Sequence, residues 1–157
     1  MAPLDSQQRN AEKKEVTSVI FAFFEAGKNK DLASLGSFHS SQDSFTKFDE
    51  NPPYTRQSSQ EAFIHEQAAF ANISDYEYQI EDLRIDLLQN VAIATFYLTY
   101  KGIFVNDYSF EGSPVASRAR VSMVLSKTER GWKMVHEHFS GFPDWRPNRE
   151  EPARRRP

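Results

Sequence analysis

The first third of the chain carries apolar residues at the period of an α-helix. Between residues 7 and 27 they follow the i, i+3, i+4, i+7, i+8 spacing that lays one apolar stripe along a helix. These positions are Val16, Val19, Ile20, Phe23 and Phe24. Gly27 is placed to end this helix, and Asp31 is placed to cap a short second helix that closes at Gly36. The pattern predicts an N-terminal helical hairpin.

A third helix is predicted after a short strand at residues 44–48. The two prolines of the segment 49–53 remove backbone donors and indicate a turn, in which Asp49, like Asp43 before the strand, is interpreted as a turn or capping residue. Ser58 and Glu61 have the spacing of a capping box, so the helix is expected to run from there to about residue 72. Its predicted buried residues are Phe63, Ile64 and Phe70.

From Tyr76 onward, β-branched and aromatic residues dominate and turn residues recur at long intervals. This pattern predicts four long antiparallel strands, at about 76–88, 91–104, 116–128 and 131–140. Gly131 supplies the positive φ that a tight hairpin needs at the last turn. Helices first and a long meander last indicate an α+β fold, in which a strongly curved sheet forms a cone with the helices over its concave side.

Composition narrows the class of protein. A chain of 157 residues with 13 Phe and 6 Tyr fits one globular domain and excludes a disordered chain. It contains no cysteine, which excludes thiolate chemistry and thiolate metal sites. No apolar run has the length of a membrane helix and the N-terminus lacks the pattern of a signal peptide, so we expect a cytoplasmic protein without a membrane partner.

The net charge is −3, and the basic residues are concentrated at the C-terminus, where the last sixteen residues hold five arginines. A basic excess that would indicate a nucleic-acid partner is missing, so none is expected. Residues 143–157 are rich in Pro and Arg and are expected to form a disordered tail. The remaining residues, 1–142, form the predicted single domain.

Two segments identify a family. The run from Phe45 to Tyr54 ahead of a helix, followed by the closing strand from Gly131 to Gly141, resembles a SnoaL-like protein of the nuclear transport factor 2-like superfamily. The closing strand is also similar to that of the association (hub) domain of calcium/calmodulin-dependent protein kinase II. The resemblance implies a cystatin-like α+β cone and a homodimer formed across the outer face of the sheet.

The same resemblance implies where the side chains point. It places Val135, Glu137 and Phe139 on the concave side, and it extends the same facing to Thr95, Tyr97 and Thr99 on the second long strand. The alternation of Val121, Met123 and Leu125 independently predicts that these three face the core. The predicted ligand-binding residues are Phe45, Phe48, Thr95, Thr99, Met123 and Phe139.

A carboxylate inside an aromatic cavity is a candidate general acid or base, because burial raises its pKa. Glu137 is therefore the predicted catalytic residue, with Tyr97 and Tyr54 as donors to a carbonyl or oxyanion. The alternative is that Glu137 lies near the mouth of the cone or is bonded to Arg118, Arg120 or a helix amide. The positions where the kinase hub carries arginines are uncharged here, which favours an apolar or aromatic ligand.

His136 and His138 share one strand face, which is a familiar metal-ligand spacing, but His39 and His65 cannot be placed beside them from sequence. We therefore expect no metal and no cofactor, and we assign His136, His138 and Trp132 to the dimer interface. The function predicted is that of a SnoaL-like small-molecule-binding protein, with an acid/base isomerase, cyclase or dehydratase as the class of activity. The alternative is a non-catalytic homo-oligomerisation or adaptor module. Whether the protein is an enzyme stays open at this stage.

Overall fold

The computed structural model describes residues 2–41 and 44–147. Asp43 and most of the predicted tail, residues 148–157, lie outside the described residues. Within the described ranges none of the helices combines the length and the hydropathy needed to cross a bilayer.

The N-terminal helix α1 spans Ser6–Lys28 and starts at a capping box formed by Asp5 and Gln8. The Asp5 carboxylate accepts a hydrogen bond from Gln8 N at 2.7 Å, which satisfies one of the free amides of the first turn. The helix continues one residue past Gly27. A Cβ on Gly27 would lie 2.4 Å from the ring of Phe70, so this glycine provides close packing between helices rather than a helix end.

A 3-10 helix, Leu32–Phe38, follows α1 and replaces the predicted short second helix. Asp31 precedes it, but its side chain accepts a hydrogen bond from Ser34 Oγ at 2.7 Å instead of capping the backbone. Helix α2 spans Ser59–Ala71 and starts at the predicted capping box of Ser58 and Glu61.

Helix α2 turns to the core a face that contains two of the three residues predicted to be buried. Ala62 and Glu66 are buried, and Phe63 and Phe70 pack against the core while staying half-buried. The expectation that Ile64 is buried is wrong, because 54% of it is exposed. Ile64 lies off the stripe formed by positions 62, 63, 66 and 70, so its apolar side chain points to solvent.

The sheet has five strands in the order β1-β5-β4-β3-β2. Strand β1 is parallel to β5, and all other pairs are antiparallel. The strands are β1 Thr46–Phe48, β2 Ile73–Leu88, β3 Val91–Val105, β4 Gly112–Thr128 and β5 Gly131–Gly141. All four predicted long strands are therefore present, with starts up to four residues earlier than expected. Gly131 has the positive φ, +92°, that the hairpin pattern predicts.

The inner face of the sheet packs against α1, the 3-10 helix and α2. On β3 the inward residues are the even-numbered ones, which pair with the odd-numbered residues of β4: Ala94 faces Met123, Phe96 faces Val121 and Leu98 faces Ala119. The predicted inward facing of Thr95, Tyr97 and Thr99 is therefore wrong. Side chains alternate along a strand, so residues between Ala94, Phe96 and Leu98 must point outward.

A bulge changes the alternation on β5. Val124 pairs with His136 and Leu125 with Met134, so Val135 is the extra residue. Before the bulge the even-numbered Trp132 and Met134 are buried, and after it the odd-numbered Glu137 and Phe139 are buried. Because of this switch, the carboxylate of Glu137 points into the interior of the cone.

Candidate functional site: a buried cluster of charged side chains

Four ionisable side chains meet inside the cone, and we call them the buried cluster: His39, Lys47, Glu66 and Glu137. They come from four different elements, namely the segment after the 3-10 helix, β1, α2 and β5. All four residues are buried, and Glu137 has no exposed surface at all.

The strand register places two members of the cluster side by side. Lys47 is registered against Glu137 in the parallel pair of β1 and β5, so both side chains project from the same face of the sheet. Gln57 faces Lys47 in an isolated antiparallel bridge, with backbone hydrogen bonds of 3.1 and 2.9 Å. Glu137, Lys47 and Gln57 therefore form a polar row across three neighbouring backbone segments.

The other two members reach the cluster from the opposite side. His39 follows the 3-10 helix and forms a bridge with Met134, and the next amide, Ser40 N, donates to Met134 O at 2.8 Å. The His39 ring stacks on Phe45, with ring centroids 4.4 Å apart. Glu66 lies on the buried face of α2, one turn after Ala62. Backbone pairing and stacking thus hold the imidazole against the carboxylates.

The distances within the cluster are those of ion pairs. His39 Nε2 lies 3.2 Å from Glu66 Oε1 and 3.4 Å from Glu137 Oε2. Lys47 Nζ donates to Glu66 Oε1 at 2.8 Å, lies 3.8 Å from Glu137 Oε2, and contacts the face of the Phe139 ring at 4.8 Å from its centroid. Two cations therefore share two carboxylates in a site with almost no exposed surface.

The surroundings shift the pKa values of the cluster's side chains in different directions. Burial by itself lowers the pKa of His39, but the adjacent carboxylates of Glu137 and Glu66 outweigh it and raise the pKa to about 9. Burial raises the pKa of Glu66, and the neighbouring Glu137 charge raises it further. For Glu137, burial acts upward, but Lys47 and His39 together hold the pKa below its usual value. At neutral pH the cluster contains an imidazolium next to an ionised carboxylate.

Asp49 connects the cluster to the surface. Its carboxylate lies 3.6 Å from Lys47 Nζ and is partly exposed. Asp49 Oδ1 also accepts a hydrogen bond from Asn51 N at 3.1 Å, which is the turn role predicted for this residue.

The residues predicted for the site are only partly brought together. Glu137, Phe45, Met123 and Phe139 lie inside the cone, close to or within the cluster. Phe48 does not, because it lies one residue after Lys47 on β1 and faces outward, beside His138 with ring centroids 5.6 Å apart. Tyr54 lies in the loop before α2 and is 71% exposed, so the sealed cluster is out of contact with its hydroxyl.

The predicted site residues of β3, namely Thr95, Tyr97 and Thr99, point outward and lie outside the buried cluster. The Arg118 guanidinium lies over the Tyr97 ring at 5.1 Å and 3.3 Å from Glu81, whose carboxylate accepts from Thr99 Oγ1. Tyr97 therefore packs on the outer face of the sheet with Thr95 and Thr99, and it cannot donate to a group inside the cone.

The residues predicted for the dimer interface do not all lie on the same face of the sheet. His136 and His138 lie on the outer face, as expected, where Thr46 Oγ1 and His136 Nδ1 share a hydrogen bond of 2.8 Å. Trp132 is buried on the inner face and its Nε1 donates to Glu12 at 3.0 Å, so its assignment to an interface is wrong. Trp132 precedes the bulge, so a continuous alternation through β5 assigns it to the wrong face.

Sequence reasoning missed His39, Lys47 and Glu66. His39 was visible only as an unplaced histidine, and a lysine in a three-residue strand gives no sign of burial. Glu66 was detectable in principle, because it lies four residues after Ala62 on the stripe that also contains Phe63 and Phe70.

The cluster also contains a possible set of metal ligands. One ligand atom each from His39, Glu66 and Glu137 lie within 4.8 Å of one another. One imidazole and two carboxylates suit a divalent transition metal. Lys47 already supplies positive charge to the same two carboxylates, so the geometry also has a complete explanation as an ion-pair cluster.

Solved structures define the fold class. A candidate dehydratase of the nuclear transport factor 2-like family from Streptomyces avermitilis matches with a TM-score of 0.73 at 17% identity, over 85% of this chain and 98% of that one. A nuclear transport factor 2-like superfamily protein from Salmonella enterica serovar Typhimurium has the same score and identity, with 91% and 99% covered. The calcium/calmodulin-dependent protein kinase II hub of S. rosetta matches with a TM-score of 0.63 at 23% identity, over 82% and 95%. The chain therefore has the cystatin-like, nuclear transport factor 2-like α+β fold, as the sequence predicted.

The family follows from the sequence itself. Residues 16–144 match the SnoaL-like domain, which is most of the chain, so the protein belongs to the SnoaL-like domain family. No curated protein has a sequence significantly similar to this chain.

Proposed function

We propose that the protein is a small-molecule enzyme that transfers protons with the buried cluster. Glu137 acts as the general base and the His39 imidazolium acts as the general acid. The class of reaction is the elimination of water from a neutral, partly aromatic ligand that carries a hydroxyl group β to a carbonyl. The observation that carries the proposal is the contact of 3.4 Å between these two groups, which are held in opposite protonation states.

The protonation states support this assignment of roles. The pKa of Glu137 is lowered, so its carboxylate is ready to accept a proton at neutral pH, whereas His39, with a pKa of about 9, is ready to donate one. Environments that drive two neighbouring groups in opposite directions are typical of acid and base pairs in active sites.

The two groups complete a balanced cycle. Glu137 takes a proton from the carbon next to the carbonyl, and the electrons of that C–H bond form the new C=C bond. The C–O bond to the β-hydroxyl breaks, and the leaving oxygen receives the His39 proton and departs as water. Glu137 then returns its proton to His39 across the 3.4 Å contact, which restores both groups.

Stability alone is a weak explanation for the cluster. Burying charged groups carries a desolvation cost of several kcal/mol per ion, and apolar side chains of similar volume often give equal or higher stability. A cluster retained in a core of Phe, Met and Leu side chains therefore favours a functional role. The name of the Streptomyces relative, a candidate dehydratase, points to the same class of chemistry.

A surface cleft borders His39. This cleft of about 550 Å³ has His39 and Ser40 in its lining, together with Gly36 and residues of the β4–β5 hairpin. The imidazole itself is fully buried behind this lining. In this proposal the ligand enters through the cleft, next to the residue assigned as the acid.

The experiment uses 4-hydroxy-4-phenylbutan-2-one, which loses water to give a conjugated enone that is followed by its absorbance. The wild-type protein is expected to accelerate this loss. Glu137→Gln should reduce the rate at least about 100-fold, because general-base catalysis contributes factors of that size. Glu111→Gln, at an exposed position just before β4, is the matched control. Equal rates in Glu137→Gln and in the wild type, with folding verified by circular dichroism, would contradict the proposal.

A second function, homo-oligomerisation, is favoured by a separate observation on the outer face of the sheet. Phe48 is 37% exposed and lies beside His136 and His138, which forms an aromatic patch next to the edge strand β1. This patch supports the expected homodimer. Sedimentation of the wild type at micromolar concentration should give a dimer, and Phe48→Asp should give a monomer. A monomeric wild type would remove the basis of this second function.

A further inference from the structure

We infer that the carboxamide of Gln57 is a ligand-binding group of the same site, and that it recognises a neutral ligand carrying both a carbonyl and a hydroxyl group. This inference rests on the proposed function, which it deepens by naming a residue that binds both polar groups of the substrate. It starts from a side chain that the acid–base cycle above does not use.

Gln57 is buried, with 2% of its surface exposed, yet neither Nε2 nor Oε1 of its side chain has a hydrogen-bond partner among the described residues. A buried amide without partners costs roughly 1–3 kcal/mol, so such groups are rare in native proteins. The fold thus holds one strong donor and one strong acceptor in its interior without using either.

The backbone aims this amide at the buried cluster. Gln57 and Lys47 exchange both backbone hydrogen bonds, and residues paired in this way project their side chains to the same face. Lys47 is in turn registered against Glu137. Gln57 and Glu137 are therefore the two ends of the polar row, two strand spacings or about 10 Å apart at the backbone. Side chains of this length can bracket a small molecule between them.

The chemistry of the row selects the ligand. The Gln57 Nε2 group can donate to a carbonyl oxygen, which also makes the neighbouring C–H more acidic toward Glu137. The Gln57 Oε1 atom can accept from a hydroxyl, which remains free to accept the proton of His39. An anionic ligand is disfavoured, because the two cations of the cluster already pair with its two carboxylates and leave no positive charge unpaired.

The experiment compares three probes on the full-length protein by NMR titration. The first is 4-hydroxy-4-phenylbutan-2-one, the second is 4-phenylbutan-2-one, which lacks the hydroxyl, and the third is 3-hydroxy-3-phenylpropanoate, which has a carboxylate in place of the ketone. The hydroxyketone is expected to bind at least about tenfold more tightly than either analogue and to shift the side-chain amide resonance of Gln57. That resonance is assigned by its loss in Gln57→Met.

The variant Gln57→Met separates a binding role from a structural one. It keeps the size of the side chain and removes both polar atoms, so we expect hydroxyketone binding to weaken at least about tenfold while Tm rises by about 2–4 °C. A structural amide would give the opposite sign, because its loss would lower Tm. Gln60→Met, an exposed position in the first turn of α2, is the matched control and should change neither quantity.

Each remaining outcome overturns a defined part of the account. Unchanged hydroxyketone binding in Gln57→Met would mean that solvent satisfies the amide, and it would overturn the role of Gln57 while leaving the acid–base proposal intact. A lower Tm without a change in binding would also overturn it. Failure of the wild type to bind any of the three probes would overturn the inference and the proposed substrate class together.

Discussion

Raising the pH from 6 to 9.5 is expected to destabilise the wild-type protein through His39. Its folded-state pKa of about 9 lies above the unfolded value of 6.5. A group with a raised pKa contributes stability that is complete below the unfolded pKa and is lost as the pH rises through the folded pKa. The groups that face His39 are Glu66 from α2 and Glu137 from β5, and Lys47 from β1 pairs with the same two carboxylates.

The size of the effect follows from the two pKa values. A difference of about 2.5 pKa units corresponds to about 3 kcal/mol of unfolding free energy, at 1.36 kcal/mol per unit. Two neighbouring groups titrate outside this pH window. The pKa of Lys47 is raised above 10.5 and that of Tyr100 is raised to about 12, so both titrate at higher pH. The pKa of Glu137 is lowered, so its titration lies at lower pH. The pKa of Glu66 is raised, and because Glu66 is present in the wild type and in His39→Gln alike, the difference in slope between these two proteins reports on His39.

Urea unfolding, followed by far-ultraviolet circular dichroism at half-unit pH intervals, measures this directly. The variant His39→Gln should be about 3 kcal/mol less stable than the wild type at pH 6, and the two should converge by pH 9.5. His65→Gln, on the exposed face of α2, is the matched control and should retain the wild-type slope. A wild-type stability that stays level between pH 6.5 and 9, or an equal slope in His39→Gln, would refute the reasoning.

Two further predictions concern the cluster and the hairpin. Lys47→Met should destabilise the fold by about 3–5 kcal/mol in urea unfolding, because it leaves two buried carboxylates without their ammonium group. Lys101→Met removes an exposed ion pair and should cost less than about 1 kcal/mol. Similar values for both lysines would contradict the buried-pair interpretation. Gly131→Ala should cost about 1–2 kcal/mol through its positive φ alone, since a Cβ there meets no atom within 4 Å. Gly141→Ala, where a Cβ makes only an ordinary contact, should change the unfolding free energy by less than about 0.5 kcal/mol. Equal effects of Gly131→Ala and Gly141→Ala would show that φ at residue 131 is unimportant.

Local patterns were sufficient to predict most of the fold. The apolar stripe of α1, the capping box at Ser58 and the glycine of the last hairpin act over a few residues, so each could be detected from a short window of sequence. The inward facing of Met123 was also predicted from alternation within one strand. These features depend on neighbours in sequence and not on how distant segments meet.

The candidate site depends on distant segments, and this is why only one of its members was predicted. Glu137 was found because its strand resembles a known family, while His39, Lys47 and Glu66 join it through contacts between elements up to about 100 residues apart. The facing of Tyr97 failed for a related reason. It was transferred from a resemblance, although the small and apolar residues on either side of it already indicated the opposite face.

The most direct test of the acid–base account is hydrogen exchange at carbon. The protein is incubated in D₂O with 4-phenylbutan-2-one, which has no hydroxyl to lose, and proton NMR follows the loss of the signals next to the carbonyl. The wild type is expected to accelerate this exchange, and Glu137→Gln should slow it at least about 100-fold, while Glu111→Gln leaves it unchanged. Exchange at the same rate with the wild type and with Glu137→Gln would contradict the claim that Glu137 removes a proton from carbon.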